Sequence, residues 1–62
     1  MEYICTINGY DIYELSMGTC LREDIPYPCF ACYEETESDR IVGYETCSRD
    51  TFDELAEWCE RN

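Results

Sequence analysis

Two residue types in this sequence could do chemistry: carboxylates and thiols. Asp and Glu number 15 against four Arg, with no Lys and no His, and cysteines stand at positions 5, 20, 29, 32, 47 and 59. Without histidine, the Ser-His and Cys-His pairs that activate a nucleophile cannot be built. Only three glycines are present, and no glycine-rich phosphate loop can be found. Carboxylate pairs of the kind used in general acid–base work arise by chance at this acid density. A chain of 62 residues also lacks the volume for a pocket that encloses a substrate. A non-enzymatic role with no cofactor is therefore expected.

The thiols admit three readings. Cys5 falls on the inner face of an expected strand and Cys59 on the apolar face of an expected helix, and free Cys packs well as a small buried hydrophobe. The sequence start "MEYICTINGY" has no signal-peptide pattern, so a cytoplasmic location in the cell that makes it, with reduced thiols, is the expectation. Disulfides are the second reading, since a small domain with an even cysteine count is the usual setting for them. One register of the second hairpin sets Cys29 opposite Cys47, the first pair to consider. The third is zinc on Cys29, Cys32, Cys47 and Cys59. Against it, an odd spacing within a strand points Cys29 and Cys32 to opposite faces.

The carboxylates gather in two places. Glu34, Glu35, Glu37 and Asp39 crowd one polar turn. Asp53, Glu54, Glu57 and Glu60 line one side of the last segment, "RDTFDELAEWCERN". These eight are the candidate partner-binding residues. A formal net charge of −11 disfavours direct binding to nucleic acid or to an anionic membrane, both of which are negative. Its complement is a basic surface, and many such surfaces exist to hold DNA or RNA. Exposed Tyr13, Tyr33 or Tyr44, with Trp58, would be aromatic anchors amid the charge. The plain alternative is a solvated acidic face with no partner.

The elements that position these groups can be read from periodicity. "EYICTI" and "YDIYEL" flank Asn8-Gly9, the preferred pair for a two-residue hairpin turn. That turn sets Ile7 opposite Tyr10, Cys5 opposite Ile12 and Tyr3 opposite Glu14, with Tyr3, Cys5, Ile7, Tyr10 and Ile12 facing the core. Ser16 can cap a short helical turn that brings Met17, Cys20 and Leu21 inward. "CFACYEE" and "RIVGYETC" read as a second hairpin closed by a Glu35–Arg40 ion pair, with Gly43 as a bulge or close-packing point. Phe52, Leu55, Ala56 and Cys59 recur at helical spacing behind a Thr51/Glu54 capping box. The sum is one acidic α+β domain over residues 1–62. It has a small antiparallel sheet from two β-hairpins and a C-terminal helix packed on one face.

With "YEETESDR" and "DTFDELAEWCE" as its acid clusters, the chain resembles the small acidic single-domain inhibitors of phages and other mobile elements. These include anti-CRISPR and anti-restriction proteins that act as DNA mimics. The resemblance implies a monomeric, stoichiometric inhibitor. Its partner would be a basic nucleic-acid-binding protein of a bacterial defence complex, with a Cas effector subunit among the candidates. The run "RIVGYETCSRDTFDELAEW" is also similar to the sheet-plus-helix part of antitoxin-like domains, which implies a partner-binding regulator of a basic toxin. A cysteine-stabilised or zinc-binding adaptor module is the remaining alternative.

Overall fold

The computed structural model describes residues 1–34 and 40–62. It shows the α+β architecture that the periodicity predicts. Strands β1 (Glu2–Ile7), β2 (Tyr10–Glu14), β3 (Phe30–Glu34) and β4 (Cys47–Arg49) form an antiparallel sheet in the order β1-β2-β3-β4. Helix α1 (Met17–Arg22) lies between β2 and β3, and helix α2 (Phe52–Arg61) follows β4.

Asn8 and Gly9 both take positive φ, 51° and 83°, as the tight hairpin turn requires. The expected pairs Ile7–Tyr10 and Cys5–Ile12 form, but Tyr3 stands opposite Tyr13 rather than Glu14. A register shift between Tyr3 and Cys5 inserts an extra residue there, and the strand beyond it changes phase. Tyr3 thereby leaves the core and is 54% exposed. Its ring meets Tyr13 edge-on at 5.6 Å.

α2 covers one sheet face with the predicted stripe. Thr51 caps it by accepting from the Glu54 amide at 3.2 Å. Leu55 and Cys59 are fully buried against Ile12 and Cys32, and Cys5, Ile7, Tyr10, Phe30, Cys47, Phe52 and Trp58 close around them. Phe30 meets Phe52, and Tyr10 meets Trp58, both edge-on.

The other face is covered too. Leu15, Cys20, Cys29, Ala31 and Tyr33 form a second buried cluster, flanked by Tyr13, Ile25 and Val42. β3 is buried on both sides, which explains its unbroken apolar run Phe30-Ala31-Cys32-Tyr33. Ser16 caps α1 by accepting from the Thr19 amide, and Cys20 points inward as expected. Met17 and Leu21 do not: they are 57% and 77% exposed. A helix of six residues presents little more than one inward position, and buried Leu15 fills the adjoining space.

The second hairpin departs most from expectation. Of the expected second strand only Cys47 pairs with β3, in a strand that runs on to Arg49, and Cys47 faces Cys32, not Cys29. Residues 40–42 instead lie over the second sheet face. The Tyr33 hydroxyl donates to the Ile41 carbonyl at 3.0 Å and Val42 packs into the cluster. Gly43, at φ 98°, stands inside a turn closed by Tyr44 N to Ile41 O at 3.0 Å. It is a turn residue, because that φ favours glycine. Arg40 pairs with Asp11 at 2.7 Å. The expected partner Glu35 lies outside the described residues.

Candidate acidic interface

The helical period sets the acidic side of α2. Turning Leu55 and Cys59 into the sheet leaves Asp53, Glu54, Glu57 and Glu60 outward, and all four are exposed. Asp53 and Glu54 also sit in the first turn, where carboxylates favour the positive end of the helix dipole. Of the second expected cluster, Glu34 is exposed at the end of β3. Glu35, Glu37 and Asp39 lie outside the described residues. Glu34 stands opposite Tyr10 across the sheet, and the Tyr10 ring contacts Trp58 of α2 at 5.4 Å. Burial and the nearby Glu34 carboxylate push the Tyr10 phenol up from its ordinary value. Tyr10 therefore links the end of β3 to the far half of α2.

The outer side of α2 is not uniformly negative. A shallow cleft of about 340 Å³ is lined by Arg49, Glu54, Glu57, Trp58, Arg61 and Asn62. Arg61 pairs with Glu57 one turn away. Arg49 reaches the Cys47 sulfur at 2.9 Å and the Ser48 carbonyl at 2.7 Å. Half-buried Trp58 lines the cleft with them, so an aromatic ring is flanked by both signs of charge. The Glu57–Arg61 pair is legible from its spacing of four residues. Arg49 arrives from β4, and nothing in the local sequence announces it.

The expected aromatic anchors divide. Tyr44 is 74% exposed, whereas Tyr33 is fully buried. Tyr13 is half-buried between Tyr3 and Tyr33, with ring centroids at 5.6 and 5.8 Å. Tyr33 is thus a core residue, because β3 is covered on both faces, and Tyr13 packs against the edge of that core. Away from the acids of α2, Asp11 is held below the usual carboxylate range by hydrogen bonds from Thr6 and Arg40. Arg40 is therefore engaged within the fold.

The six thiols are free and sort by sheet face. Cys20 and Cys29 belong to the cluster under α1, while Cys5, Cys32, Cys47 and Cys59 belong to the cluster under α2. Cys29 and Cys32 thus point to opposite faces, so neither the Cys29–Cys47 pair nor the four-cysteine zinc set is assembled. Among the described residues, no three His, Cys, Asp or Glu are placed to hold a metal ion. Burial pushes Cys32 up to about 12, assisted by the neighbouring Cys59 thiol. Burial also raises Cys29 and Cys59. A thiol whose pKa is raised on folding stays neutral while its unfolded counterpart ionises, so the unfolded state binds fewer protons. Stability is then full below the ordinary thiol value of 9.0 and falls as pH rises towards 12. Denaturant midpoints measured from pH 7 to 11 should hold steady and then drop above about pH 9. A midpoint unchanged to pH 11 would show that the Cys32 region is open to solvent.

Among the described residues, no helix is long and apolar enough to cross a membrane. Comparison with known protein families, curated proteins and solved structures gives no match for this chain.

Proposed function

We propose that this protein is a non-enzymatic acidic inhibitor that occupies a basic nucleic-acid-binding surface, in the manner of an anti-CRISPR DNA mimic. The observation that carries the reading is the exposure of Asp53, Glu54, Glu57 and Glu60 along one side of a well-anchored helix. Neighbouring carboxylates on a helix stand roughly 5–6 Å apart at Cβ, a spacing that a groove built for phosphates can meet. The helix is held by buried Leu55 and Cys59, so the charges are presented on a rigid element and little ordering is left for binding. Trp58, set in the cleft beside them, supplies the contact area that charge alone lacks.

The partner fits the description of a basic DNA- or RNA-binding subunit of a bacterial defence complex. Association of this kind is steered electrostatically and is screened by salt. Binding to a candidate effector should weaken as NaCl rises from 50 to 500 mM (on the order of tenfold or more), and duplex DNA should compete for the same site. Titration by fluorescence anisotropy with labelled DNA checks both. Displacement of DNA that is insensitive to salt would count against mimicry.

A further inference from the structure

The two-faced sorting of the cysteines has a chemical use that the acidic surface does not explain. Cys20 and Cys29 are both buried in the cluster under α1. The backbone holds them near one another: Leu15 N donates to Cys29 O at 3.0 Å, and Cys20 N donates to the adjoining Ser16 O at 3.0 Å. On the opposite face, Cys5, Ile12, Cys32 and Cys47 form one row across the four strands, each facing the next in register. Cys59 of α2 lies over that row, buried with Ile12 and Cys32.

Six cysteines admit fifteen complete pairings. The sheet cannot be crossed, so Cys20 can pair only with Cys29, and three pairings remain. Adjacent strands lie about 4.8 Å apart. Cys5 and Cys47, on the two edge strands, are then about 14 Å apart, and Cys5 and Cys32 about 10 Å. A disulfide needs Cα atoms within about 7 Å. A Cys5–Cys47 bond is therefore excluded, and with it the pairing that joins Cys32 to Cys59. A Cys5–Cys32 bond is excluded as well. What remains is Cys32–Cys47, directly opposite on adjacent strands, together with Cys5–Cys59.

We infer that the chain has a fully disulfide-bonded state with one connectivity: Cys20–Cys29, Cys32–Cys47 and Cys5–Cys59. The three bonds would tie α1 to the start of β3, β3 to β4, and α2 to β1. The oxidant is a low-molecular-weight disulfide such as oxidised glutathione. For each protein bond formed, a thiolate attacks the oxidant to give a mixed disulfide and release one glutathione. The second cysteine thiolate then attacks the mixed disulfide and releases the other. Two electrons and two protons pass from the protein thiols to make the two glutathione molecules. Cys59 shares one packed cluster with Cys5, Cys32 and Cys47, so exchange among these sulfurs can settle on the pairing that satisfies all four. Because Cys20, Cys29, Cys32 and Cys59 are buried, the folded, reduced protein resists this chemistry and the bonds form while the chain folds.

The test is to refold the denatured, reduced full-length chain in a mixture of reduced and oxidised glutathione, quench with acid, and map the linked peptides by mass spectrometry. A mass lower by about 6 Da, with links only at Cys20–Cys29, Cys32–Cys47 and Cys5–Cys59, is expected. The oxidised protein should also melt at least about 10 °C above the reduced one. A link between the two faces, such as Cys29–Cys47, would overturn the inference. So would Cys32–Cys59 in the fully oxidised species, or a chain that stays fully reduced. The Cys5→Ser variant is a second check: it should lose only the bond to Cys59 and keep Cys32–Cys47 and Cys20–Cys29. Loss of Cys32–Cys47 in that variant would also overturn it.

Discussion

Replacing Asp53, Glu57 and Glu60 together with Lys should weaken binding to the proposed basic partner by about 100-fold or more, while the circular dichroism spectrum keeps its helical signal. Each substitution turns an attraction into a repulsion on the same rigid face, and like charges brought together at an interface cost several kcal/mol, with 1.4 kcal/mol equal to tenfold in affinity. Single neutralisations at these positions should cost little, because each carboxylate is exposed and solvent-screened. The triple substitution touches none of the buried positions Leu55 and Cys59, so loss of binding would not be loss of fold. Glu34, Glu35 and Glu37 form a separate set for reversal, which identifies the cluster that faces the partner. Binding that survives both reversals would leave the acidity as solvation alone.

A second large effect is expected at Leu55. Its side chain is fully buried between α2 and the sheet, in the cluster with Ile12, Cys32 and Cys59. Leu55→Ala should cost about 2–5 kcal/mol, a large share of the whole stability of a domain this small. Thermal melts followed by tryptophan fluorescence would report it, since Trp58 packs against the same cluster. Leu55→Met, which keeps the volume, should cost less than about 1.5 kcal/mol. Equal melting of the Ala variant and the parent would mean that α2 does not pack through Leu55.

How much of this was legible in the sequence follows from the range of each signal. The Asn8-Gly9 turn, the caps at Ser16 and Thr51 and the apolar stripe of α2 are set within a few residues, and all are present in the structure. The exposure of Asp53, Glu54, Glu57 and Glu60 is legible for the same reason, being the complement of that stripe. Features decided by distant partners were not. The register shift at Tyr3 depends on what β2 offers across the strand. Arg40 finds Asp11, 29 residues away in sequence, where proximity suggested Glu35. "RIVGYETC" has strand composition, yet its first part is drawn across the second face by Tyr33 and Val42. That second core also withdraws Tyr33 from the surface, and no local pattern reveals it. In the candidate site the missing piece was Arg49, carried in by β4 beside α2.

The first hairpin and the last helix are fastened to each other. The Asn8 side-chain amide donates to the Cys59 carbonyl at 3.0 Å, and the Tyr10 hydroxyl donates to the Asn62 carbonyl at 3.3 Å. These contacts join positions 51 and 52 residues apart, so a large loop must close before they form, and such topologies fold slowly for their size. During synthesis, the sheet face lined by Cys5, Ile7, Tyr10 and Ile12 has no cover until residues 52–61 have left the ribosome. The nascent chain therefore carries an exposed apolar surface from the synthesis of the first hairpin until α2 emerges. Its strong negative charge then serves a purpose before any partner is met, because mutual repulsion keeps neighbouring unfinished chains from joining through that surface.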